Sequence, residues 1–295
     1  MKMSAENRQA FSHRPKKPGQ QGTRQGLDDH SDLARSASGV QSTQRALSIL
    51  QLFSHEQPDL SLMEISSALA LHPSTAHRLL SALVSNGLLV RSERTAQFRL
   101  GYGVVRLAGI SLNQTDFVRH SLPELDALRD TLSLNANLGV LHEDDVLHLA
   151  YAVRRGTPRY YTVLGRTAVP NCTALGKVLL AAMSRPAVHE MINRRGWRPY
   201  TPYSITDFER LDEELDAVVS HGYAIDNQER SLNSACVAAP VHNSTREIVA
   251  AISVSGSLDE CLGPKKATVM KTVLQHATMI SQKMGDLSSP LVNSI

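Results

Sequence analysis

Two short amphipathic segments with a turn of only two residues between them dominate the first third of the chain. Ser61 precedes Glu64 by three positions, the spacing of a capping box, which predicts that the first of two helices begins there. Pro73 suits the first position of the second helix, and Gly87 suits the residue that ends it. A separate helical pattern covers residues 42–57, so the sequence predicts three consecutive helices.

The third predicted helix has two different faces. Its polar face has hydroxyls and cations but no carboxylate, which suits a helix entering the DNA major groove, because phosphates repel carboxylates and base edges accept from arginine and hydroxyls. An ordinary exposed face is the alternative. The apolar face comprises Ala76, Leu79, Leu80, Leu83 and Val84, and the polar face comprises Ser74, Thr75, His77, Arg78 and Ser81.

A two-stranded hairpin is predicted after this helix, from the apolar residues 88–90 and 97–100 around a polar turn. Three helices and a hairpin predict a winged helix-turn-helix domain over residues 39–101. Arg91, Arg94 and Arg99 of the hairpin would lie near backbone phosphates, which add affinity but no choice of sequence.

The remainder alternates between helical and strand-like segments. A linker helix is predicted over 102–115, and a further helix over 116–132 that is interrupted or begins near Pro123. The region 116–290 is predicted to be a mixed α/β domain, so the fold class is α+β. Its strand-like segments are Leu138–Leu141, Val146–Val153, Tyr160–Leu164, Ala235–Ala239 and Ile248–Val254, and its helices cover about 174–184, 208–220 and 264–284.

Composition excludes several classes of protein. The 295 residues suffice for about two domains, and no apolar run approaches the roughly 18 residues of a membrane span or forms a secretory signal. Three separated cysteines favour a reducing, cytoplasmic location. Aromatic residues are only 4% of the chain, which argues against base stacking as a binding mode.

The net charge of +3 is concentrated towards the N-terminus. Residues 1–38 carry seven basic and four acidic residues and few large apolar ones, which predicts a disordered basic tail. An inert tail is the alternative to one that attracts an anionic partner.

Motifs from both halves of the chain occur in one consistent order. In the first half they are RALSIL (45–50), LSLMEISSALALHPSTAHRLLSAL (60–83) and FRLGYGVVRLAG (98–109). In the second half they are CTALGKVLLA (172–181), ITDFERLDEEL (205–215), HGYAIDNQE (221–229), CVAAPV (236–241) and AAISVSG (250–256). With this order and spacing, residues 42–284 resemble the IclR family of bacterial transcription regulators.

The resemblance implies a winged-helix domain joined by a helix to a GAF-like effector-binding domain. It implies binding to a double-stranded DNA operator as a homodimer or homotetramer, repression or activation in response to a small molecule, and no cofactor. We expect groove contacts from the polar face of the third helix and phosphate contacts from Arg45 and Arg94. Arg78 suits bidentate recognition of guanine.

The effector site is expected at the start of a helix. Thr173 is a plausible N-cap, and a helix start attracts carboxylates through its unpaired N–H groups and partial positive charge. Ser253 and Ser255 are two apart on a strand and therefore share a face. The family's small-carboxylate pocket, carried over by motif, comprises Ala174, Leu175, Asp226, Cys236, Ser253 and Ser255.

Each of these side chains also has a simpler interpretation. Asp226 suits the cap of a turn, Cys236 a small core residue, and the two serines bonds to nearby backbone. Because Asp226 would repel a carboxylate, we expect a hydroxy-, keto- or hydroxylated aromatic acid whose polar group faces Asp226.

Three positions depart from the family pattern. Thr95-Ala96 stands where a glycine is usual at the hairpin tip, which puts the wing geometry in doubt. Asn233 replaces a glycine, and asparagine tolerates positive φ. Asn171 replaces a common histidine, so the pocket rim and the ligand are expected to differ.

An enzyme with a site built on Cys236 is the competing hypothesis. No histidine is placed beside Cys236 by any motif, and SVSGS is not a GxSxG elbow. A metal site including Cys172 lacks the usual ligand spacing. A DNA-binding protein without an effector is a third hypothesis. The sequence favours a regulator that is not an enzyme.

Overall fold

The computed structural model describes residues 29–156 and 164–287. The chain divides into two compact units between Val105 and Arg106, inside a helix. The elements of the first unit, with the helix that crosses the division, are α1 (Asp29–Gln51), α2 (Leu62–Ala68), α3 (Pro73–Ser85), β1 (Leu89–Arg91), β2 (Phe98–Leu100) and α4 (Tyr102–Gln114).

Helix α1 begins earlier than the sequence predicts. It starts at Asp29, so residues 29–38 of the predicted disordered tail are helical, while residues 1–28 lie outside the described part of the chain. Each residue added to an existing helix gains a hydrogen bond without a new nucleation cost, so the helix that contains Ile49 can propagate into a weakly apolar segment.

The helix pair α2 and α3 forms as predicted. The Ser61 hydroxyl accepts from the Glu64 N–H at 3.3 Å, and the Glu64 carboxylate accepts from the Ser61 N–H at 2.7 Å. The first unit buries one apolar cluster between its helices and hairpin, formed by Ile49, Leu60, Ile65, Leu80, Leu83, Leu89 and Phe98.

Glycines close the wing against the end of α3. Gly87 follows α3 with φ of +70°. A Cβ at Gly101 would lie 2.4 Å from the Gly87 carbonyl oxygen, and one at Gly103 would lie 2.6 Å from it. These contacts explain why the segment LGYG tolerates no side chain at its two glycines. At the wing tip, Ala96 adopts φ of +57°, so the turn forms without the usual glycine.

The second unit is a six-stranded antiparallel sheet with helices on both faces. The sheet order is β5-β4-β3-β8-β7-β6. Its elements are α5 (Asp116–Leu132), β3 (Asn135–His142), β4 (Asp145–Ala152), β5 (Thr167–Ala168), a 3-10 turn (Pro170–Cys172), α6 (Ala174–Ala181), α7 (Arg185–Arg195), α8 (Phe208–His221), β6 (Ala224–Asn227), β7 (Ser234–His242), β8 (Ile248–Ser257), α9 (Leu258–Leu262) and α10 (Lys266–Lys283).

Alternate residues of each strand face different helices. One face, with Leu138, Val237 and Ile252, packs against α5 and α10. The other face, with Ala238 and Ala251, packs against α6 and α8. The mixed α/β prediction is therefore confirmed, and the two faces set up two separate cores.

Several boundaries differ from the sequence prediction. Helix α5 continues through Pro123, whose missing N–H removes only one backbone bond. The predicted helix 264–284 is α10, preceded by the separate short helix α9. Strand β6 and helix α7 were not predicted. Residues 160–163 of one predicted strand lie outside the described part of the chain.

Candidate nucleic-acid interface and effector pocket

Helix α3 presents a polar stripe to solvent. Ser74, His77, Arg78 and Ser81 follow the i, i+3, i+4, i+7 spacing of one helix face, and all four are exposed. Thr75 is half-buried beside the stripe. The structure therefore brings together four of the five predicted groove residues on one surface.

The start of α3 is capped by a side chain. His72 Nδ1 accepts from the Ser74 N–H at 3.3 Å and lies 2.8 Å from the Ser74 hydroxyl. By contrast, His77 and Arg78 form no hydrogen bond or ion pair with any residue that the structure describes. Arg45 of α1 is half-buried and also has no such partner in the described ranges. Arg45 and Arg78 are thus free to meet an external anion.

The three wing arginines differ in what they contact. Arg99 is paired with Asp59 at 2.8 Å. The guanidinium of Arg91 lies 5.8 Å from the centroid of the Phe98 ring. Arg94 is exposed at the tip without a partner among the described residues. Arg94 is therefore the wing arginine best suited to a phosphate.

A polar row crosses four strands on the α6 side of the sheet. Asp226 of β6 pairs with Cys236 of β7, Cys236 with Ser255 of β8, and Ser255 with Asn135 of β3. Directly opposed residues of neighbouring strands share a face. Three of the predicted effector residues therefore lie in one line.

A second polar pair lies one step along the strands. Ser253 pairs with Asn137, both are buried, and the Asn137 amide donates to the Ser253 hydroxyl at 3.5 Å. Ala174 and Leu175, the first residues of α6, pack in the apolar cluster of this same face. The structure thus places all six predicted effector residues on one side of the sheet.

The start of α6 packs closely against the 3-10 turn that precedes it. Thr173 is the N-cap, and its hydroxyl accepts from the Gly176 N–H at 3.2 Å, as predicted. A Cβ at Gly176 would lie 2.2 Å from the Pro170 carbonyl oxygen, so only glycine fits. The first N–H groups of a helix have no partner within it, which leaves those of Ala174 and Leu175 suited to an anion.

Asp226 and Cys236 both have structural partners as well. Asp226 Oδ1 accepts from the Glu229 N–H at 2.8 Å and from the Arg230 N–H at 3.4 Å, so it caps the turn after β6. Burial raises the pKa of Asp226, and burial together with the neighbouring Asp226 raises the pKa of the Cys236 thiol. A thiol with a raised pKa is a poor nucleophile, which weighs against a Cys236 enzyme.

Sequence reasoning missed three polar residues of this face. Lys177 of α6 is completely buried, and its ammonium lies 2.7 Å from Glu229 Oε1 and 2.8 Å from Glu214 Oε2. Asn135 and Asn137 complete the two polar rows. The available signals were a lysine within an apolar helix and the alternation NAN at the start of a strand.

Two departures from the family pattern are explained. Asn233 adopts φ of +59°, as its replacement of a glycine predicts. Asn171 is completely buried, and its amide donates to the Ile205 carbonyl at 2.8 Å. Asn171 therefore links the 3-10 turn to the loop that contains Ile205, and its effect on the pocket rim stays a prediction.

A separate groove of about 340 Å³ lies beside β6 and α8. None of the six predicted effector residues lines it. Arg210, Lys266 and Tyr203 lie at this groove together with Glu214 and Glu229. Lys177, Glu214 and Glu229 form one ion-pair cluster, and its two glutamates line this groove at the edge of the sheet.

Two family models match the chain. The IclR helix-turn-helix domain matches residues 42–93, and the C-terminal domain of the bacterial IclR transcriptional regulators matches residues 110–282. The chain belongs to the IclR family.

Individual relatives agree with this assignment. The transcriptional regulator BhcR of Paracoccus denitrificans is 30% identical over 248 residues, which are 84% of this chain and 88% of BhcR. An IclR regulator from Alicyclobacillus acidocaldarius has a similar fold, with TM-score 0.73, 24% identity and coverage of 83% of this chain and 98% of the other. An IclR homologue from Microbacterium hydrocarbonoxydans, solved with 4-hydroxybenzoate, gives TM-score 0.71 at 22% identity over 82% and 98% of the chains.

The IclR assignment confirms the prediction of a DNA-binding transcription regulator that is not an enzyme. Among the described residues, no group of three or more His, Cys, Asp or Glu side chains is arranged to hold a metal ion. No helix within those same ranges combines the length and apolar character needed to cross a membrane.

Proposed function

We propose that this IclR regulator binds a double-stranded DNA operator as a homodimer or homotetramer and that a small organic acid in its second unit changes the affinity for DNA. The observation that carries the DNA part is the exposed, carboxylate-free stripe of α3. We assign groove contacts to Ser74, Thr75, His77, Arg78 and Ser81, and phosphate contacts to Arg45 and Arg94. The protein acts where bacterial DNA lies, in the cytoplasm.

Helix α4 supports assembly with a second copy. None of its residues is buried, although Tyr102, Val105, Leu107 and Ile110 are large and apolar. A helix of 13 residues is marginal in water without packing. A second α4 would bury this surface, and a symmetric dimer would read two half-sites of an operator.

The effector is a hydroxy-, keto- or aromatic acid. Its carboxylate would accept from the first N–H groups of α6, at Ala174 and Leu175. Its second polar group would meet the row of Asp226, Cys236 and Ser255, with Ser253 beside them. The IclR homologue solved with 4-hydroxybenzoate is a family member whose ligand has this chemistry.

Fluorescence anisotropy tests the DNA part. The full chain is titrated onto a duplex from its own upstream intergenic region and onto unrelated DNA at near-physiological salt. We expect tighter binding to the first duplex by a factor of about 10³ or more. Absence of binding to either duplex, even at low salt, would contradict the proposal.

A thermal-shift panel tests the effector class. Hydroxy, keto and aromatic acids are compared with neutral sugars and with cations of similar size. We expect the melting temperature to rise only with acids, because ligands that bind the folded state stabilise it. A rise confined to sugars or cations would overturn the assignment of an acid.

A further inference from the structure

Lys177 places a positive charge beneath the proposed effector pocket. It lies three residues after Ala174 on α6, and its side chain has no exposed surface. Its ammonium donates to Glu229 Oε1 at 2.7 Å and to Glu214 Oε2 at 2.8 Å. Both of these contacts are to carboxylates of the protein itself, and the charge of Lys177 acts in a medium that screens poorly.

Two buried carboxyl groups oppose this charge. Asp226 and Glu229 are each only 3% exposed, and the Glu229 N–H donates to Asp226 Oδ1 at 2.8 Å. Glu229 Oε2 has no partner among the described residues. Glu214 is 39% exposed, so water screens it.

Two thiols also lie beside this cluster, and the cations Arg210 and Lys266 lie with Glu214 and Glu229 at the outer groove. Burial raises the pKa of Cys172 and of Cys236, so both are uncharged near neutral pH. The Lys177 ammonium also opposes the effect of burial on the pKa of Asp226, which means that its charge is felt at the polar row. The buried set thus contains one positive group against two acidic groups.

An anionic effector must enter beside this acidic pair. We propose that Lys177 compensates the negative charge of the pocket. Its ammonium thereby makes the pocket prefer an acid over the uncharged amide of the same acid. This inference rests on the proposed acid effector. Lys177 is a positioning residue that does not contact the effector. It acts through the electrostatic field of its ammonium and through the turn that carries Asp226 and Glu229.

A charge series separates this role from a packing role. As long as Glu229 stays ionised, Lys177→Met makes the buried set more negative by one charge, and Glu229→Gln makes it less negative by one. The double variant Lys177→Met/Glu229→Gln returns the net charge to that of the wild type and leaves no buried charge of this ion pair unpaired, since Glu214, which also loses its partner, is 39% exposed. If the net charge determines the preference for the acid, the ratio falls in Lys177→Met, rises in Glu229→Gln and returns to the wild-type value in the double variant. If packing determines it, the ratio changes with the number of substitutions.

Isothermal titration of the full chain measures the preference directly. The probes are three pairs of acid and amide, namely 4-hydroxybenzoate and 4-hydroxybenzamide, pyruvate and pyruvamide, and lactate and lactamide. We expect Lys177→Met to lower the acid-to-amide affinity ratio by about tenfold or more, because a charge inside the protein is screened much less than one in water. We expect Glu229→Gln to raise the ratio and the double variant to restore it to within about threefold of the wild type.

Lys283→Met is the matched control. Lys283 also pairs with a buried glutamate, Glu124 at 2.6 Å, but on the other side of the sheet. We expect this variant to leave the ratio unchanged.

The outcomes distinguish the two proposals. If acids bind the wild type and Lys177→Met leaves the ratio unchanged, the role of Lys177 is overturned while the acid effector stands. Equal loss in the single and double variants would also overturn it, because the net charge would then not decide. If no acid binds the wild type, the acid effector fails and this inference fails with it. Should Lys177→Met not fold, Glu229→Gln and the double variant still decide.

Discussion

Helices α3 and α6 hold their cations in opposite surroundings. On α3, Arg78 is exposed and has no partner in the described part of the chain, while on α6, Lys177 is completely buried between Glu214 and Glu229. A surface for a polyanion can leave its charges unpaired, because the partner supplies the opposite charges. A charge buried inside a domain needs a partner within the protein, because water does not reach it.

The largest expected effect is on stability, at Lys177. Lys177→Met leaves Glu229 buried without its partner, which costs about 3–5 kcal/mol of unfolding free energy. Urea unfolding followed by the fluorescence of Trp197, the one tryptophan of the chain, measures it in the second unit. Adding Glu229→Gln is expected to recover most of the loss. A single variant as stable as the wild type would contradict the buried pair.

On α3 the same kind of substitution is expected to affect binding and not folding. Arg78→Ala should weaken operator binding by about 1–3 kcal/mol and reduce discrimination between operators. Arg78→Lys keeps the charge but not the planar fork, so it should retain the salt dependence and lose the discrimination. Anisotropy titrations at several salt concentrations measure both. An equal loss of affinity for all DNA sequences would mean that Arg78 contacts a phosphate and not a base.

A pH experiment extends the comparison to two histidines. Burial and the nearby Arg166 lower the pKa of His148 in the second unit to about 4, while His77 on α3 is exposed. The unfolded state therefore binds the proton more readily, and stability present above about pH 6.5 is lost as the pH falls towards 4. Between pH 7.5 and 5.0, wild type should lose about 2 kcal/mol more than His148→Gln.

His77→Gln is the control for that measurement, read by the same urea unfolding. His77 lies in the first unit and Trp197 in the second, so this substitution should leave the Trp197 signal unchanged. A His148→Gln variant with the wild-type pH dependence would show that His148 is not buried in solution.

The smallest expected effect comes from a feature that both units share. Ser61 and Ser257 each close a capping box with the glutamate three residues later. Replacing either serine by alanine should cost about 1 kcal/mol in the unit that contains it. Circular dichroism during urea unfolding measures both variants. Loss at Ser257 alone would mean that α2 depends on packing rather than on its cap.

The sequence predicts best where a structure is set by neighbours along the chain. The Ser61 box, the Thr173 cap and the positive φ of Asn233 all follow from residues within a few positions. It predicts poorly where weak local patterns are stabilised by packing. Helix α7 buries only Val188, Met191 and Ile192 among charged residues, and β6 has four residues, so neither pattern stands out.

The candidate sites show the same contrast between local patterns and contacts of long sequence separation. The stripe of α3 is visible in the sequence because its residues repeat along one helix. Asn137 and Ser253 are 116 positions apart, and their pairing exists only once the sheet has formed. The partner of Lys177 was hidden for the same reason, because Glu229 lies 52 positions away.

The strand order of the second unit sets when that unit can fold. Strand β3, made early, lies between β4 and β8, and β8 ends at Ser257. The sheet cannot close until β8 has left the ribosome, whereas the elements of the first unit are complete more than a hundred residues earlier. Contacts of such long sequence separation also form slowly. A nascent chain of this regulator therefore completes its helix-turn-helix unit before the six-stranded sheet of the second unit can form.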